Sequence, residues 1–455
     1  MVTASDGREL PAFSPNMTPT VIPESDHPIR KKDIDKEALK VLYRLRDAGF
    51  SGYLVGGGVR DLYLGKKPRD FDISTDARPG QLRKLFRNSR TIGRRFRLVQ
   101  VFFRGGKIIE VSTLRSLSEY DINGQEQVLP SNNTYGTLEE DAFRRDLTIN
   151  SLFYEIENRT IIDYVGGVRD LDEGVVRIVG EPERRVTRDP VRIMRAVRHA
   201  ARSNFEIEPV TWKAIVSNRE KLLLCPPSRL RDELLKDLRS GASRPWAEIA
   251  IKCGLLSTLL PCYEDIAGNR EVKDELLAML GVLDRLYGQD IRGGKIVVPD
   301  FMLFALLLAP WACHRYELTR QKIRGPVYHQ LSRQIRSDID QLFGQQLNMK
   351  RMIKEAITTL LVNISTFSQH HNGSSWPKWL RRKSYFGDCS RFYALYLEAT
   401  QGRPADENLF VETEEIRPVT VEHRGDGERE RPRARKGINP AFSSRKHGVF
   451  GLRRG

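Results

Sequence analysis

This chain of 455 residues has no apolar run long enough to cross a bilayer. Its most apolar stretch, Phe301 to Cys313, is too short and is broken by Pro310, so it predicts a buried helix. Cysteine is scarce. Cys225, Cys253, Cys262, Cys313 and Cys389 are scattered with no Cys-x-x-Cys spacing, which argues against a disulfide scaffold or a zinc ribbon and predicts reduced, mostly buried thiols. None of the eight histidines falls at metal-ligand spacing, and His370-His371 borders a loop-like Asn372-Gly373-Ser374-Ser375, as solvated residues do. No internal repeat is visible. The first residues lack a positive segment followed by an apolar core, so no signal peptide is expected and a cytoplasmic location is.

What the chain does have is positive charge. The net charge is +16 and the pI about 9.6, which points to an acidic polymer as partner. The length suits about two to four domains with well-buried cores. Residues 1–32 are rich in Pro, Ser and Thr without a period and predict a flexible arm. Asp33 reads as the N-cap of a helix carrying Ile34, Ala38, Leu42 and Leu45, stopped at Gly49. Short strand-like runs then alternate with helical ones to about residue 175. Among them, runs 97–103 and 107–111 are split by a Gly105-Gly106 hairpin turn, and 117–135 is an aperiodic loop. From about residue 185 nearly every periodic segment is helical, and the last stretch is Pro- and Arg-rich. The expected class is α+β, a small α/β head with a mixed sheet followed by an all-helical neck and body. The expected boundaries are head 33–175, neck 176–275, body 276–410 and disordered basic tail 411–455.

The most informative segment runs from Leu54 to Ile73. Gly56-Gly57-Gly58 follows the apolar run Tyr53-Leu54-Val55 and precedes a helical pattern. A strand, a glycine turn and a helix start together offer backbone N–H groups to phosphate. Downstream, Asp70 and Asp72 lie two apart, on one face of a strand, with Phe71 and Ile73 turned inward. Two carboxylates side by side repel unless a cation lies between them, and such oxygen ligands suit Mg²⁺ held with substrate phosphates. A triple glycine alone is an ordinary tight turn, and a lone Asp-x-Asp is most often solvated. Together, in order, they point to nucleotidyl transfer.

Further motifs stand out. In Arg144-Arg145-Asp146-Leu147-Thr148-Ile149-Asn150, Asp146 is placed either to complete a carboxylate triad with Asp70 and Asp72 or to orient arginines and a ribose. Arg145 and Asn150 are candidates for contact with the nucleotide. Glu110, a lone acid in a β-branched strand, is a rival third carboxylate. Asp189-Pro190 opens a helix with Arg192, Arg195, Arg198 and Arg202 on one face. There an acceptor and a donor pair with a base edge, and the arginine stripe suits a triphosphate. Gly166-Gly167 reads as a hinge or an ordinary turn. Trp376-Pro377-Lys378-Trp379-Leu380-Arg381-Arg382-Lys383 interleaves aromatics with bases, either a stacking surface for RNA or core tryptophans beside a solvated charge run.

These motifs, in this order, resemble the bacterial poly(A) polymerases of the class II, polymerase-β-like nucleotidyltransferase superfamily, which also holds the tRNA CCA-adding enzymes. The likeness runs from about Thr20 to about residue 270. It implies AMP transfer from ATP to RNA 3′ ends with release of pyrophosphate, with ATP as substrate and Mg²⁺ as cofactor. Asp70, Asp72 and Asp146 would be catalytic, the first two holding metal. Gly56, Gly57 and Arg60 would position phosphates, Arg145 and Asn150 would serve the ribose end, Asp189 and Arg192 would read adenine, and Arg195 would assist. The family also implies RNA 3′ ends and RNA-decay proteins as partners, no membrane, and a monomer. Ile92-Gly93-Arg94-Arg95-Phe96-Arg97-Leu98 resembles the poly(A) polymerase signature more than its CCA-adding counterpart. Two positions depart from the pattern. Gln100 stands where His is usual, and Arg188 precedes Asp189 where an acid is usual. A CCA-adding enzyme and an inactive RNA-binding protein are the alternatives.

Overall fold

The computed structural model describes residues 17–93, 97–117, 135–288, 294–320, 323, 325–343, 346–371 and 376–413. Short β-branched and aromatic runs in its first third pair into one eight-stranded mixed sheet. The strands are β1 (Thr20–Ile22), β2 (Gly52–Val55), β3 (Asp72–Thr75), β4 (Ser89–Ile92), β5 (Leu98–Phe102), β6 (Ile108–Thr113), β7 (Phe153–Glu155) and β8 (Thr160–Asp163). Their order is β1-β8-β7-β2-β3-β6-β5-β4. Only β3 and β6 run parallel, which sets Asp72 directly beside Glu110.

Helix α1 (Lys36–Asp47) packs on this sheet through Ala38, Val41, Leu42 and Leu45. Full burial of one leucine there is worth about 1.5–3 kcal/mol. Its N-cap is Asp35, whose Oδ1 accepts the N–H groups of Glu37 and Ala38 at 2.9 and 3.2 Å, not the Asp33 expected from sequence. Helices α2 (Gly57–Tyr63), α3 (Pro79–Leu85), α4 (Leu138–Arg144) and α5 (Gly167–Glu173) complete the α/β part. At Gly167 a Cβ would meet the Thr148 carbonyl oxygen at 2.3 Å, so this glycine is required for close packing, whatever freedom its pair confers.

The arm expected over 1–32 is built into the sheet from residue 20 onward. Thr20–Ile22 pairs antiparallel with β8, and His27 and Ile29 are buried. A three-residue strand whose partner lies some 140 positions later leaves no local period to read. Residues 1–16 and the expected loop at 118–134 lie outside the described residues, as does the tail beyond 413.

The helical part begins with α6 (Pro182–Arg188), α7 (Val191–Ser203), α8 (Pro209–Asn218) and α9 (Pro227–Leu238). Longer helices follow at Arg270–Tyr287, Asp300–Tyr316, Pro326–Phe343, Arg351–Val362 and Phe386–Gln401. Two small strand pairs interrupt the expected all-helical pattern, Val175–Val176 with Glu206–Ile207 and Gly294–Ile296 with Val411–Thr413. The apolar run expected to form a buried helix does so, with Met302 through Cys313 all buried. No helix among the described residues is long and apolar enough to cross a membrane. All five cysteines are free thiols and four are buried.

Candidate active site

Strand β2 ends at Val55 because Gly56 turns the chain with φ +67°, a conformation that side chains rarely adopt. A Cβ at Gly56 would lie 3.6 Å from Arg145 Nη1 and 4.0 Å from Asp72 Oδ2, so turn, arginine and acid converge. The strand expected to carry both acids starts only at Asp72; Asp70 precedes it, because the antiparallel neighbour has already turned away. Phe71 and Ile73 are buried, as the alternation requires. Arg145 is held by the Asp141 carboxylate at 2.8 Å and by Ser74 Oγ at 3.2 Å, with its guanidinium 5.0 Å from the Phe153 ring centre.

Asp72 is exposed to the cleft. Partial desolvation, with Glu110 and Asp70 beside it, pushes its carboxyl up to about 6 against the pull of Arg145. A divalent cation would relieve this repulsion, so the donor set fits Mg²⁺. Gln100 Nε2 donates to Glu110 Oε1 at 3.0 Å, so the glutamine that departs from the family pattern stands over the acid flanking Asp72. The cleft is lined by Asp70 and Asp72 but not by Glu110. Among the described residues, one trio has its ligand atoms all within 4.8 Å of one another. It comprises Glu271, Glu275 and His314, outside the cleft. Two helices bring these together, a proximity that histidine spacing in the sequence could not reveal.

Asp146 is buried, and its carboxylate lies 2.8 Å from Arg195 Nε and accepts the Leu147 N–H at 2.8 Å. Burial pushes its pKa up, but the guanidinium groups of Arg195 and Arg192 outweigh that and hold it well below the usual carboxylate range. Of its two possible roles, the geometry matches the one that orients arginines. His199, unmarked in the sequence, sits beside it. Arg60 Nη1 donates to Asn150 Oδ1 at 2.6 Å and lies 3.1 Å from His199 Nδ1, while Nη2 donates to Asp61 at 2.7 Å. Burial and the adjacent Arg60 drive the His199 pKa well down, which leaves a neutral ring able to accept from Arg60.

Asp189 was expected to cap the next helix, but its side chain makes no such bond. Arg229 of α9 instead grips both oxygens, Nη1 to Oδ1 at 2.8 Å and Nη2 to Oδ2 at 2.9 Å. Nothing local in the sequence marks Arg229. Arg192 donates to the carbonyl oxygens of Arg145 and Arg144 at 2.9 and 3.3 Å, and Arg185 reaches the same Arg145 carbonyl at 2.6 Å. The arginine stripe is thus divided: Arg198 turns into α9, where Glu233 and Asp237 hold it. Arg188 ends α6 beside Asp189.

Except for the rival acid Glu110, every residue expected to serve catalysis or nucleotide binding, from Gly56 to Arg195, lines one cleft of about 1010 Å³. The α/β part supplies one wall, through the glycine turn, α2, the start of β3 and the 144–150 segment, and α7 with α9 supplies the other. The Trp376–Lys383 segment is not part of that lining. Arg94, Arg95 and Phe96 lie outside the described residues.

Residues 52–177 match the family described as the poly A polymerase head domain. Residues 204–266 match the one described as a probable RNA- and SrmB-binding site of polymerase A. The chain is 53% identical over 229 residues to poly(A) polymerase I of Salmonella typhi, covering 49% of each chain. It is 42% identical over 320 residues to poly(A) polymerase I of Escherichia coli O157:H7, covering 68% of this chain and 67% of that one. It is 38% identical over 241 residues to a CCA-adding enzyme of Lactobacillus helveticus, covering 53% and 58%. This chain thus spans about half the length of the Salmonella relative and two thirds of the Escherichia one. The solved Bacillus stearothermophilus CCA-adding enzyme in complex with CTP shares the fold, with a TM-score of 0.59 at 24% identity, over 81% of this chain and 79% of that one.

Proposed function

This chain belongs to the poly(A) polymerase family, and on that premise we propose that it extends RNA 3′ ends with adenylate from ATP, without a template. The observation that carries the reading is the convergence of the acid pair, the glycine turn and the Asp189–Arg192 corner on one cleft. In the reaction the RNA 3′-hydroxyl loses its proton and its oxygen bonds the α-phosphorus of ATP, while the bond to pyrophosphate breaks. Asp70 and Asp72 would hold Mg²⁺; when bound, the metal lowers the pKa of the attacking hydroxyl and neutralises charge on the triphosphate.

The rest falls to the chain's own groups. The backbone at Gly56 and Gly57 and the Arg60 fork position phosphates, and Arg60 arrives already oriented by Asn150 and His199. Asn150 and Arg145 meet the sugar end. Asp189 and Arg192 face the adenine, Asp189 steadied by Arg229 and Arg192 by two backbone carbonyls. Asp146 keeps Arg195 directed into the cleft.

The likeness to CCA-adding enzymes supports a second reading, a short addition of CTP and ATP to tRNA. One assay separates them: the purified chain with unstructured RNA or tRNA, Mg²⁺, and ATP or CTP alone. Long extension of either RNA with ATP is expected. Addition confined to tRNA and dependent on CTP overturns the polyadenylation reading, and RNA binding without any addition leaves only an inactive RNA-binding protein.

A further inference from the structure

Outside the cleft, the segment around Trp379 combines features that the reaction leaves unused. Its two tryptophans have opposite fates. Trp376 packs 4.8 Å from the Phe367 ring and against Tyr393 and Phe386, as part of the core. Trp379, three residues on, is 48% exposed and is the only exposed tryptophan among the described residues. It is nevertheless held in place. Pro377 precedes the single helical turn Lys378–Arg381, Leu380 is fully buried beneath it, and the His370 ring meets the indole edge-on at 5.3 Å.

Around this indole the chain exposes Lys378, Arg381, Arg382 and Lys383. None has an acidic partner among the described residues, and Asp388, the acid closest in sequence, is engaged by Arg391 at 2.6 Å. A fixed, half-open indole among uncompensated cations is the chemistry of a single-stranded nucleic-acid contact. A base stacks on the ring at little entropic cost, and phosphates pair with the cations. Anionic lipid fits less well, because the apolar residue of that turn, Leu380, faces the protein and leaves one ring to enter a bilayer.

We propose that Trp379 with Lys378, Arg381, Arg382 and Lys383 forms a stacking surface for single-stranded RNA, separate from the cleft and more than a hundred residues beyond the segment matched to an RNA-binding family. Stacking on a ring discriminates little among bases, which suits a substrate of any sequence. The proposal rests on RNA being what the chain binds, not on the reaction or on which nucleotide is added.

The test uses the full chain with a fluorescein-labelled unstructured RNA. Trp379→Ala should weaken binding about tenfold, whereas Trp379→Phe, which still stacks, should keep most of the affinity. The wild-type tryptophan emission should be quenched by RNA, and Trp379→Phe should remove that quenching. Replacing the four cations by Ala should reduce the salt dependence of log K by about three. AMP addition to a short saturating primer should be unchanged in Trp379→Ala. Wild-type RNA affinity in Trp379→Ala, with unaltered thermal unfolding, overturns the surface. So does loss of binding to phosphatidylglycerol vesicles in that variant while RNA affinity stays intact. If the wild-type chain adds no nucleotide yet Trp379-dependent RNA binding persists, the reaction assignment fails and the surface stands.

Discussion

In the cleft, Arg60, Arg192, Arg195 and Arg198 are each held by an oxygen of the protein itself, whereas the cations of Lys378–Lys383 face solvent with no acid opposite among the described residues. The same residue types serve two ends. A guanidinium fixed before the ligand arrives loses little freedom on binding and demands one shape of partner, as a nucleotide has. A free cation on a long stem accepts any phosphate in reach, as a polymer offers.

The largest test of this contrast is Asp72→Ala, expected to lower AMP incorporation by about a thousandfold or more while RNA binding stays within about twofold. Retained incorporation would dismiss Asp72 as a metal ligand. Next comes Arg198→Leu. Leaving Glu233 and Asp237 buried without their cation should destabilise the fold by about 3–5 kcal/mol, read as a lower Tm or urea midpoint; an unshifted midpoint would show that the cleft network is not rigid. His199→Leu removes an acceptor from Arg60 and should raise KM for ATP by about five- to tenfold with a smaller change in kcat. His199→Asn, which can still accept, should recover part of that loss. A KM unaffected by either variant would remove His199 from the phosphate-positioning group. Smallest of all, Lys378→Ala should weaken RNA binding about twofold and leave KM for ATP untouched. A change in KM there would erase the distinction between the two regions.

The acid pair and the glycine turn were readable because their meaning is local: a strand's alternation and a turn's backbone lie within one stretch of about twenty residues. What pairs with them was not. Asp189 reads as a helix cap until Arg229, forty positions on, takes both its oxygens. Asp146 was the expected third carboxylate and Glu110 its rival. The parallel β3–β6 register puts Glu110 beside Asp72, and Arg195 draws Asp146 toward the helical wall. His199 gave no sign at all, since a lone histidine on an apolar and basic helix has no spacing to betray it. Likewise Trp376 and Trp379 look alike in sequence, and only the burial of Leu380 decides which of them turns outward.

The carbonyl oxygens of Arg144 and Arg145 are where guanidinium groups from α6 and α7 meet the sheet domain. Every residue has a carbonyl, so no side-chain change at 144 or 145 can delete these acceptors. The seating of α6 and α7 against the sheet domain is therefore insulated from side-chain changes at those two positions, and is vulnerable from the donor side. Loss of Arg185 or Arg192 would loosen it, whereas an amide-to-ester replacement of the peptide bond following Arg145 would weaken that acceptor without altering any side chain.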